Sequence, residues 1–162
     1  MLTWVIEDRE WIDGELVSRN FFVIRTQTND IYYFGEDVDF DEEGEIVAHD
    51  GAWRAGVDEA TAGNLMPGTL LAGSRFYQES APDIAEDRAE FTGYVNMALG
   101  DLLYQGVAVM HETSSLDSPC AFSDFYYAAG IGMIKGGDER ELIEAGFIFR
   151  LPPHLPFKNA PR

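Results

Sequence analysis

The sequence predicts one all-β domain over residues 1–150, an antiparallel meander of about ten strands that closes into a barrel or wraps as a strongly curved sheet, with little helix. Turn-forming pairs such as Asp13-Gly14 and Asn29-Asp30 recur at short intervals along the chain. The runs between them are rich in β-branched and aromatic residues, which are typical of strands. With 162 residues, of which 46% are hydrophobic, the chain is long enough to bury a core of its own.

The individual strands follow from the apolar pattern. Trp4, Ile6 and Asp8 share one face of the first run, whereas residues 21–24 are apolar at every position and predict a strand covered on both faces. Residues 31–34 and 45–48 predict two further strands, joined across an acidic loop. Later strands are predicted at residues 69–79, 103–112, 122–127, 132–135 and 142–149.

Two internal segments lack a strand period. Residues 51–68 are rich in Gly and Ala and predict a long loop, with a helical turn as an option at residues 58–62. In residues 83–103, Ile84, Arg88 and the apolar residues after them recur at helical spacing, and the residues between them include good helix formers. The local pattern therefore favours a helix there. Beyond the domain, residues 151–162 include a cluster of three of the chain's seven prolines and predict an extended tail.

The chain is strongly acidic. Its 29 Asp and Glu outnumber its 11 Lys and Arg, which gives a net charge of −18. This field repels nucleic-acid phosphates and anionic membranes, and it favours cations, basic partners or simple solubility. No run approaches the roughly 20 apolar residues of a membrane span, and the N-terminal residues do not resemble a signal peptide, so a soluble protein is expected. A small-molecule ligand is the expected partner, with a second copy of the chain as an option.

The cysteine and the histidines give little indication of a catalytic or metal-binding role. Cys120 is the single cysteine, which excludes an intrachain disulfide. A catalytic thiol paired with His111 or His49 is one interpretation, and an inert thiol is the favoured one. No His/Cys spacing resembles a zinc site, and no cofactor is expected.

Six short motifs carry a family resemblance. They lie at residues 18–22 (SRNFF), 32–39 (YYFGEDVD), 51–58 (GAWRAGVD), 66–69 (MPGT), 77–79 (YQE) and 87–90 (DRAE). Through them the chain resembles, over residues 5–146, an uncharacterised family of bacterial proteins, many of which are exported. The resemblance implies a strand over residues 87–95 in place of the helix, and it implies export but no reaction. Phe125 stands where relatives usually carry lysine, so a shared site that uses that lysine is not expected here.

The acidic run at residues 36–45 holds seven carboxylates in ten positions. Asp37, Asp39 and Asp41 have the alternate spacing that opens a calcium loop. The EF-hand template then fails, because its sixth position holds Glu42 instead of Gly and its twelfth holds Ala48 instead of Glu. A solvated acidic hairpin is the favoured interpretation, and a calcium site on these three aspartates is the alternative.

A second polar group falls on two runs that are predicted to pair as neighbouring strands; its members are Arg75, Tyr77, Gln78, Glu79, Asp87, Arg88 and Glu90. Alternation places Arg75, Tyr77 and Glu79 on one face of their strand. It places Arg88 and Glu90 on one face of the next strand. Facing outward, they form a cross-strand ion-pair ladder. Facing inward, acids and arginines must pair, with shifted pKa values suited to acid–base chemistry. The outward arrangement is favoured.

Three function classes remain open. The leading one is a non-enzymatic binding domain for a small apolar or amphipathic ligand or a partner, with contacts from Trp53, Arg75, Tyr77, Arg88 and Tyr126. The first alternative is a cofactor-free enzyme with an acid or base drawn from Glu79, Asp87, Glu90 and His111. The second is an acidic cation-binding module at residues 37–45. Inward carboxylates with displaced pKa values would favour the enzyme, and an apolar cavity would favour the carrier.

Overall fold

The computed structural model of the protein describes residues 3–42, 45–137 and 140–147. Fourteen strands make up the regular structure of these residues, arranged as two six-stranded sheets and one hairpin with antiparallel pairing. No helix occurs in this part of the chain, and so none that could cross a membrane. The predicted all-β antiparallel fold is confirmed, while the predicted tail at residues 151–162 lies outside the described residues.

The first sheet comes mainly from the N-terminal half of the chain. Its strands are β1 (Thr3–Ile12), β2 (Glu15–Arg25), β3 (Ile31–Val38), β6 (Trp53–Arg54), β7 (Thr61–Met66) and β9 (Glu79–Ser80). The order across it is β1-β2-β3-β7-β9, and β6 also pairs with β3. Asp13 and Gly14 both have positive φ, as the tight turn from β1 to β2 requires. Strands β4 (Phe40–Glu42) and β5 (Glu45–Ala48) form the separate acidic hairpin.

The second sheet is a meander from the C-terminal half. Its strands are β8 (Arg75–Tyr77), β10 (Asp87–Leu99), β11 (Leu102–Ser114), β12 (Ser123–Ala128), β13 (Gly132–Gly136) and β14 (Arg140–Glu141). They lie in the order β14-β13-β12-β11-β10-β8, so each strand after β10 pairs with its predecessor.

The two sheets are joined at one edge by the chain itself. Gln78 is the single residue between β8 and β9, so the chain changes sheet there. At the opposite edge, β1 and β14 do not pair with each other, and the described strands do not close a barrel. The predicted barrel of about ten strands is not confirmed, in part because several strands have only two or three residues and leave no alternating pattern to read.

Apolar side chains pack on both faces of the second sheet. The inner face, against which Met66 of β7 packs, carries the buried residues Ala89, Phe91, Ala108, Met110 and Phe125. Val107, Ala128 and Ile134 form a separate cluster with partly buried Tyr126 and Leu142, on the outer face. On the first sheet, a third cluster gathers around Tyr33 and Trp53. The space between the two sheets is therefore bounded by apolar side chains from each.

The predicted loop at residues 51–68 is wrong, because β6 and β7 lie within it. Gly63 interrupts the side-chain pattern by which β7 could have been predicted. The glycine is required there because a Cβ at this position would lie 1.9 Å from the carbonyl oxygen of Gln78. Only glycine lets the two backbones approach so closely. The helical turn at residues 58–62 is absent as well, since Asp58 and Glu59 have φ values of 46° and 67° and lead directly into β7.

Strand β10 replaces the helix that the local pattern favours at residues 83–103, in agreement with the family resemblance. Its pairing with β11 shifts register between Phe91 and Gly93 and again between Val95 and Met97. Pairing with β11 on one side and β8 on the other satisfies the backbone of this segment and overrides its local helix preference.

Two later strands are shorter than predicted. Residues 69–74 are not in a strand, because a turn in which the Ser74 N–H donates to the Leu71 carbonyl precedes β8. Residues 142–147 also lie outside any strand, and residues 148 and 149 are not described.

Candidate functional site

The outer face of the second sheet holds most of the polar residues singled out in the sequence. Arg75 Nη2 lies 2.7 Å from Glu90 Oε2, and the Arg75 side chain is 79% exposed. The Arg88 guanidinium lies 5.0 Å from the centre of the exposed Tyr77 ring. Both contacts join β8 and β10, whose registers pair Arg75 with Glu90 and Arg88 with Tyr77. These four residues form the outward cross-strand ladder.

His111 and Tyr126 also belong to this outer face. His111 Nδ1 lies 2.9 Å from Asp124 Oδ1, and its ring centre is 4.3 Å from that of Phe122. Tyr126 packs into the outer apolar cluster around Ile134. His111 is thus turned away from Glu112, the residue that follows it in β11, as the alternation of a strand requires.

Glu79 does not share a face with Arg75 and Tyr77, and that expectation is wrong. The reason is the change of sheet at Gln78, whose backbone N–H donates to the carbonyl oxygen of Asp87 while Glu79 joins β9 beside β7. The Glu79 side chain turns inward, and the Trp53 indole N–H donates to its Oε2 at 3.0 Å. Trp53 itself is 5% exposed and packs with Tyr33, so it is a core residue that orients a carboxylate.

The two aspartates of the acidic run whose side chains are described, Asp37 and Asp39, bind separate partners. Asp37 pairs with Arg19 Nη2 at 3.1 Å and also with Arg54. Asp39 Oδ1 lies 2.9 Å from His49 Nδ1, and the side chain of Asp41 is not described. No group of three His, Cys, Asp or Glu side chains among the described residues is arranged to hold a metal ion.

A set of carboxylates on the inner surfaces of the two sheets was not singled out from the sequence as a group. We call them the inner carboxylates: Asp8, Glu10, Glu36, Glu79, Asp87 and Glu112. Asp87 alternates with the buried Ala89 of β10, and Glu112 with the buried Met110 of β11, so both project between the sheets. All six are half-buried and keep some contact with solvent.

A hydrogen-bond network anchors one of them in the first sheet. The Ser18 hydroxyl donates to Glu36 Oε1 at 2.9 Å and accepts from the Asn20 amide at 3.2 Å. The Tyr33 hydroxyl contacts both the Asn20 amide oxygen and, at 3.3 Å, Glu36 Oε2. Because a phenol has one proton, it can donate to only one of these acceptors, and a protonated Glu36 would satisfy the other contact by donating to Tyr33.

Burial raises the pKa of every inner carboxylate. Burial is the main reason that the pKa of Glu79 rises to about 9, and repulsion from Asp87 and Glu36 is the next largest cause. The pKa of Glu112 rises to about 8 through burial and repulsion from Asp87. Burial likewise raises the pKa values of the Tyr33 and Tyr127 hydroxyls, to which nearby carboxylates add. Protons are therefore held between the sheets at neutral pH.

The inner carboxylates reach the surface at a pocket of about 100 Å³, which we call the acidic pocket. Its lining consists of Asp87, Glu112, Thr113, Ser114, Asp117, Ala121, Phe122 and Ser123. The Ser114 hydroxyl hydrogen-bonds Asp87, and Asp117 is a third acid, whose charge raises the pKa values of its two acidic neighbours. At the rim, the Phe122 ring is 59% exposed. The pocket thus joins inward-facing carboxylates to the outer face of the sheet, where the Phe122 ring packs on His111.

Removing the indole donor of Trp53 is expected to disturb Glu79 in a measurable way. Trp53→Phe should lower the free energy of unfolding by about 1 kcal/mol, the net worth of one hydrogen bond, plus any loss of packing. It should also raise the pKa of Glu79 further, since the Trp53 hydrogen bond lowers it. Urea denaturation and carboxyl carbon NMR titration measure the two effects. Trp11→Phe, at a half-exposed tryptophan, is the matched control, and an unchanged Glu79 titration in Trp53→Phe would contradict the contact.

Comparisons of the chain with protein-family models, curated proteins and solved structures find no match. The resemblance to the bacterial family stays a prediction, and the inference of function rests on the site itself.

Proposed function

We propose that the protein is a small-molecule binding domain in which the two sheets form a barrel-like enclosure, and that its ligand is an amphipathic cation with an amine or guanidine head group. The observation that carries this proposal is the acidic pocket, where Asp87, Glu112 and Asp117 meet beside an exposed Phe122 ring. Carboxylates attract a cationic head group, and an aromatic ring accepts an apolar or aromatic body.

The size of the acidic pocket fits a ligand that has a small cationic head group and a separate apolar or aromatic body. A volume of about 100 Å³ admits a head group of a few atoms and leaves the rest of the ligand at the rim. Phe122 is backed by the His111 ring, whose centre lies 4.3 Å away, which fixes the aromatic surface against β11. The mostly polar lining, with three acidic residues among its eight, does not suit a purely apolar ligand, because a buried carboxylate would lose hydration without gaining a partner.

Binding of a cation should release protons. Glu112, with a pKa of about 8, is mainly protonated at neutral pH, and a neighbouring positive charge favours its ionised form. The ligand therefore lowers the pKa of Glu112, and by linkage its affinity should increase as the pH is raised through that value.

The test uses phenethylammonium as a probe, with 2-phenylethanol and phenylacetate as its neutral and anionic counterparts. Isothermal titration calorimetry should show binding of the cation alone, a dissociation constant that falls between about pH 6.5 and pH 8.5, and a heat that depends on the ionisation enthalpy of the buffer. Glu112→Gln should weaken binding and reduce the proton release. Glu90→Gln, on the outer face, should leave both unchanged.

Other results would redirect or remove the proposal. Equal binding of the cation and 2-phenylethanol would identify an apolar carrier. Absence of binding by all three probes at millimolar concentration would contradict a cation site in the acidic pocket.

Acid–base catalysis is a second candidate, and one specific observation favours it. Asp87 and Glu112 line the same pocket, and the pKa of about 8 for Glu112 makes it a proton donor near neutral pH. Of the four acid or base candidates taken from the sequence, Asp87 lines this pocket, Glu79 lies between the sheets beside Trp53, and Glu90 and His111 face outward. NMR spectra of the bound probe separate the candidates, since turnover would produce new signals and simple binding would not.

A further inference from the structure

Arg140 brings a positive charge to the edge of the space that the inner carboxylates line. It lies in β14, and its Nη1 is 3.1 Å from Glu10 Oε1 in β1, on the other sheet. Its guanidinium carbon lies 5.9 Å from the centre of the buried Phe125 ring. Of the ion pairs between described residues, this is the one that joins the two sheets.

The guanidinium acts on more than its direct partner. Its attraction lowers the pKa values of Asp8, Glu10, Glu36, Asp87 and Glu112, against the larger effect of burial. These residues come from both sheets, so Arg140 supplies the positive charge that the acidic interior otherwise lacks. A guanidinium beside carboxylates and over an aromatic ring is also the chemistry that we infer for the ligand.

The strand that carries Arg140 is weakly held. β14 has two residues, both exposed, which pair with Lys135 and Gly136 of β13. The next residue, Leu142, donates one backbone hydrogen bond to the Ile134 carbonyl at 3.0 Å, and its side chain packs at the margin of the outer apolar cluster. The side chains of Arg140 and Glu10 are 55% and 24% exposed, and an ion pair with this access to water is easily exchanged for another.

We propose that Arg140 is an internal competitor of the ligand: its guanidinium, held at Glu10, balances the negative charge of the inner carboxylates, and a cationic ligand bound in the acidic pocket takes over that role, so that the contact with Glu10 weakens and β14 loosens. This autoinhibitory contact rests on the proposed function. Without ligand, the Arg140–Glu10 contact balances the negative charge of the inner carboxylates. It also lowers the affinity of the protein for cations that bind weakly. Ligand binding is thereby coupled to the only ion pair that ties the described edges of the two sheets together.

The test compares phenethylammonium binding to the wild type, Arg140→Gln, Arg140→Lys and Arg75→Gln. Arg140→Gln removes the competing charge and should bind the probe about fivefold more tightly, the upper range for loss of a partly exposed ion pair. Arg140→Lys keeps the charge and should bind like the wild type. Arg75→Gln removes an ion pair of the same sheet on its outer face and should also leave binding unchanged.

Hydrogen exchange of the wild type provides a second measurement that needs no variant to fold. Saturating phenethylammonium should accelerate exchange of the Leu142 amide, which reports on the pairing beside β14. Equal affinities of the wild type and Arg140→Gln, or an unchanged Leu142 amide in the complex, would overturn the competitor role and leave the proposed function standing. A wild type and an Arg140→Gln variant that both fail to bind would overturn both.

Discussion

The folded protein is expected to lose stability as the pH is raised from about 5 to about 9. Glu79 has an ordinary pKa of 4.5 when the chain is unfolded and a pKa of about 9 in the fold. Below pH 4.5 both states hold the proton, and the carboxyl group does not change stability. Above pH 4.5 the unfolded state releases the proton and the folded state keeps it, so stability falls until the pH passes 9. Glu112, with a folded pKa of about 8, acts in the same direction.

Replacement of these carboxyl groups by amides should remove much of that pH dependence. Full linkage corresponds to about 1.4 kcal/mol per pH unit for one group, and contact with solvent and coupling between the acids reduce it. We therefore expect Glu79→Gln to stabilise the protein by about 2 kcal/mol at pH 8 and to have no effect near pH 4. The side-chain amide oxygen of this variant can still accept the hydrogen bond from Trp53.

Urea denaturation at a series of pH values measures these effects. Glu112→Gln should flatten the profile in the same way but less strongly, because its pKa is closer to the ordinary value. Glu90→Gln removes one negative charge from the outer face and controls for the general repulsion within an acidic chain. A Glu79→Gln profile parallel to that of the wild type would show that Glu79 is ionised normally in the fold.

Gly63→Ala is expected to destabilise the protein by about 3 kcal/mol or to prevent folding, since it forces atoms into a packed backbone contact. The new Cβ would lie 1.9 Å from the Gln78 carbonyl oxygen and 2.7 Å from the Glu79 nitrogen. Both contacts are with backbone, which cannot swing aside as a flexible side chain can. The strands would separate where the chain changes sheet, and the inward position of Glu79 would be lost with them.

The measurement is the free energy of unfolding, with far-UV circular dichroism to detect loss of strand. Gly146→Ala is the matched control, because a Cβ there meets no atom within 4 Å. Wild-type stability of Gly63→Ala would contradict the close pairing of β7 with the segment at Gln78.

Local pattern was sufficient for several elements. Residues 31–34 and 45–48 combine strand-forming side chains with turn signals, and both lie in strands. The ladder of Arg75 with Glu90 follows from alternation along two runs that pair antiparallel. For β10 the local pattern was misleading, because pairing with β11 and β8 overrides the local helix preference, and the family resemblance indicated the strand.

The candidate site could be predicted only in part for a related reason. Alternation shows that His111 and Glu112 point to opposite faces, but it does not show which face a second sheet will cover. Asp87 was singled out with Glu79, although the acids that accompany them come from β1, β3 and β11 and lie far apart in the chain. A pocket formed by such residues has no spacing to recognise.

By itself, the sequence determined the all-β class, most of the hairpins and the acidity of the surface, because these depend on neighbouring residues and on composition. Only the tertiary structure decided that Gly63 belongs to a strand, that the chain changes sheet at Gln78, and that Arg140 meets Glu10. Each of these depends on backbone or side-chain contacts between distant segments. The inner carboxylates have the same origin, since the covering of one face by another sheet turns ordinary strand acids into half-buried groups with raised pKa values.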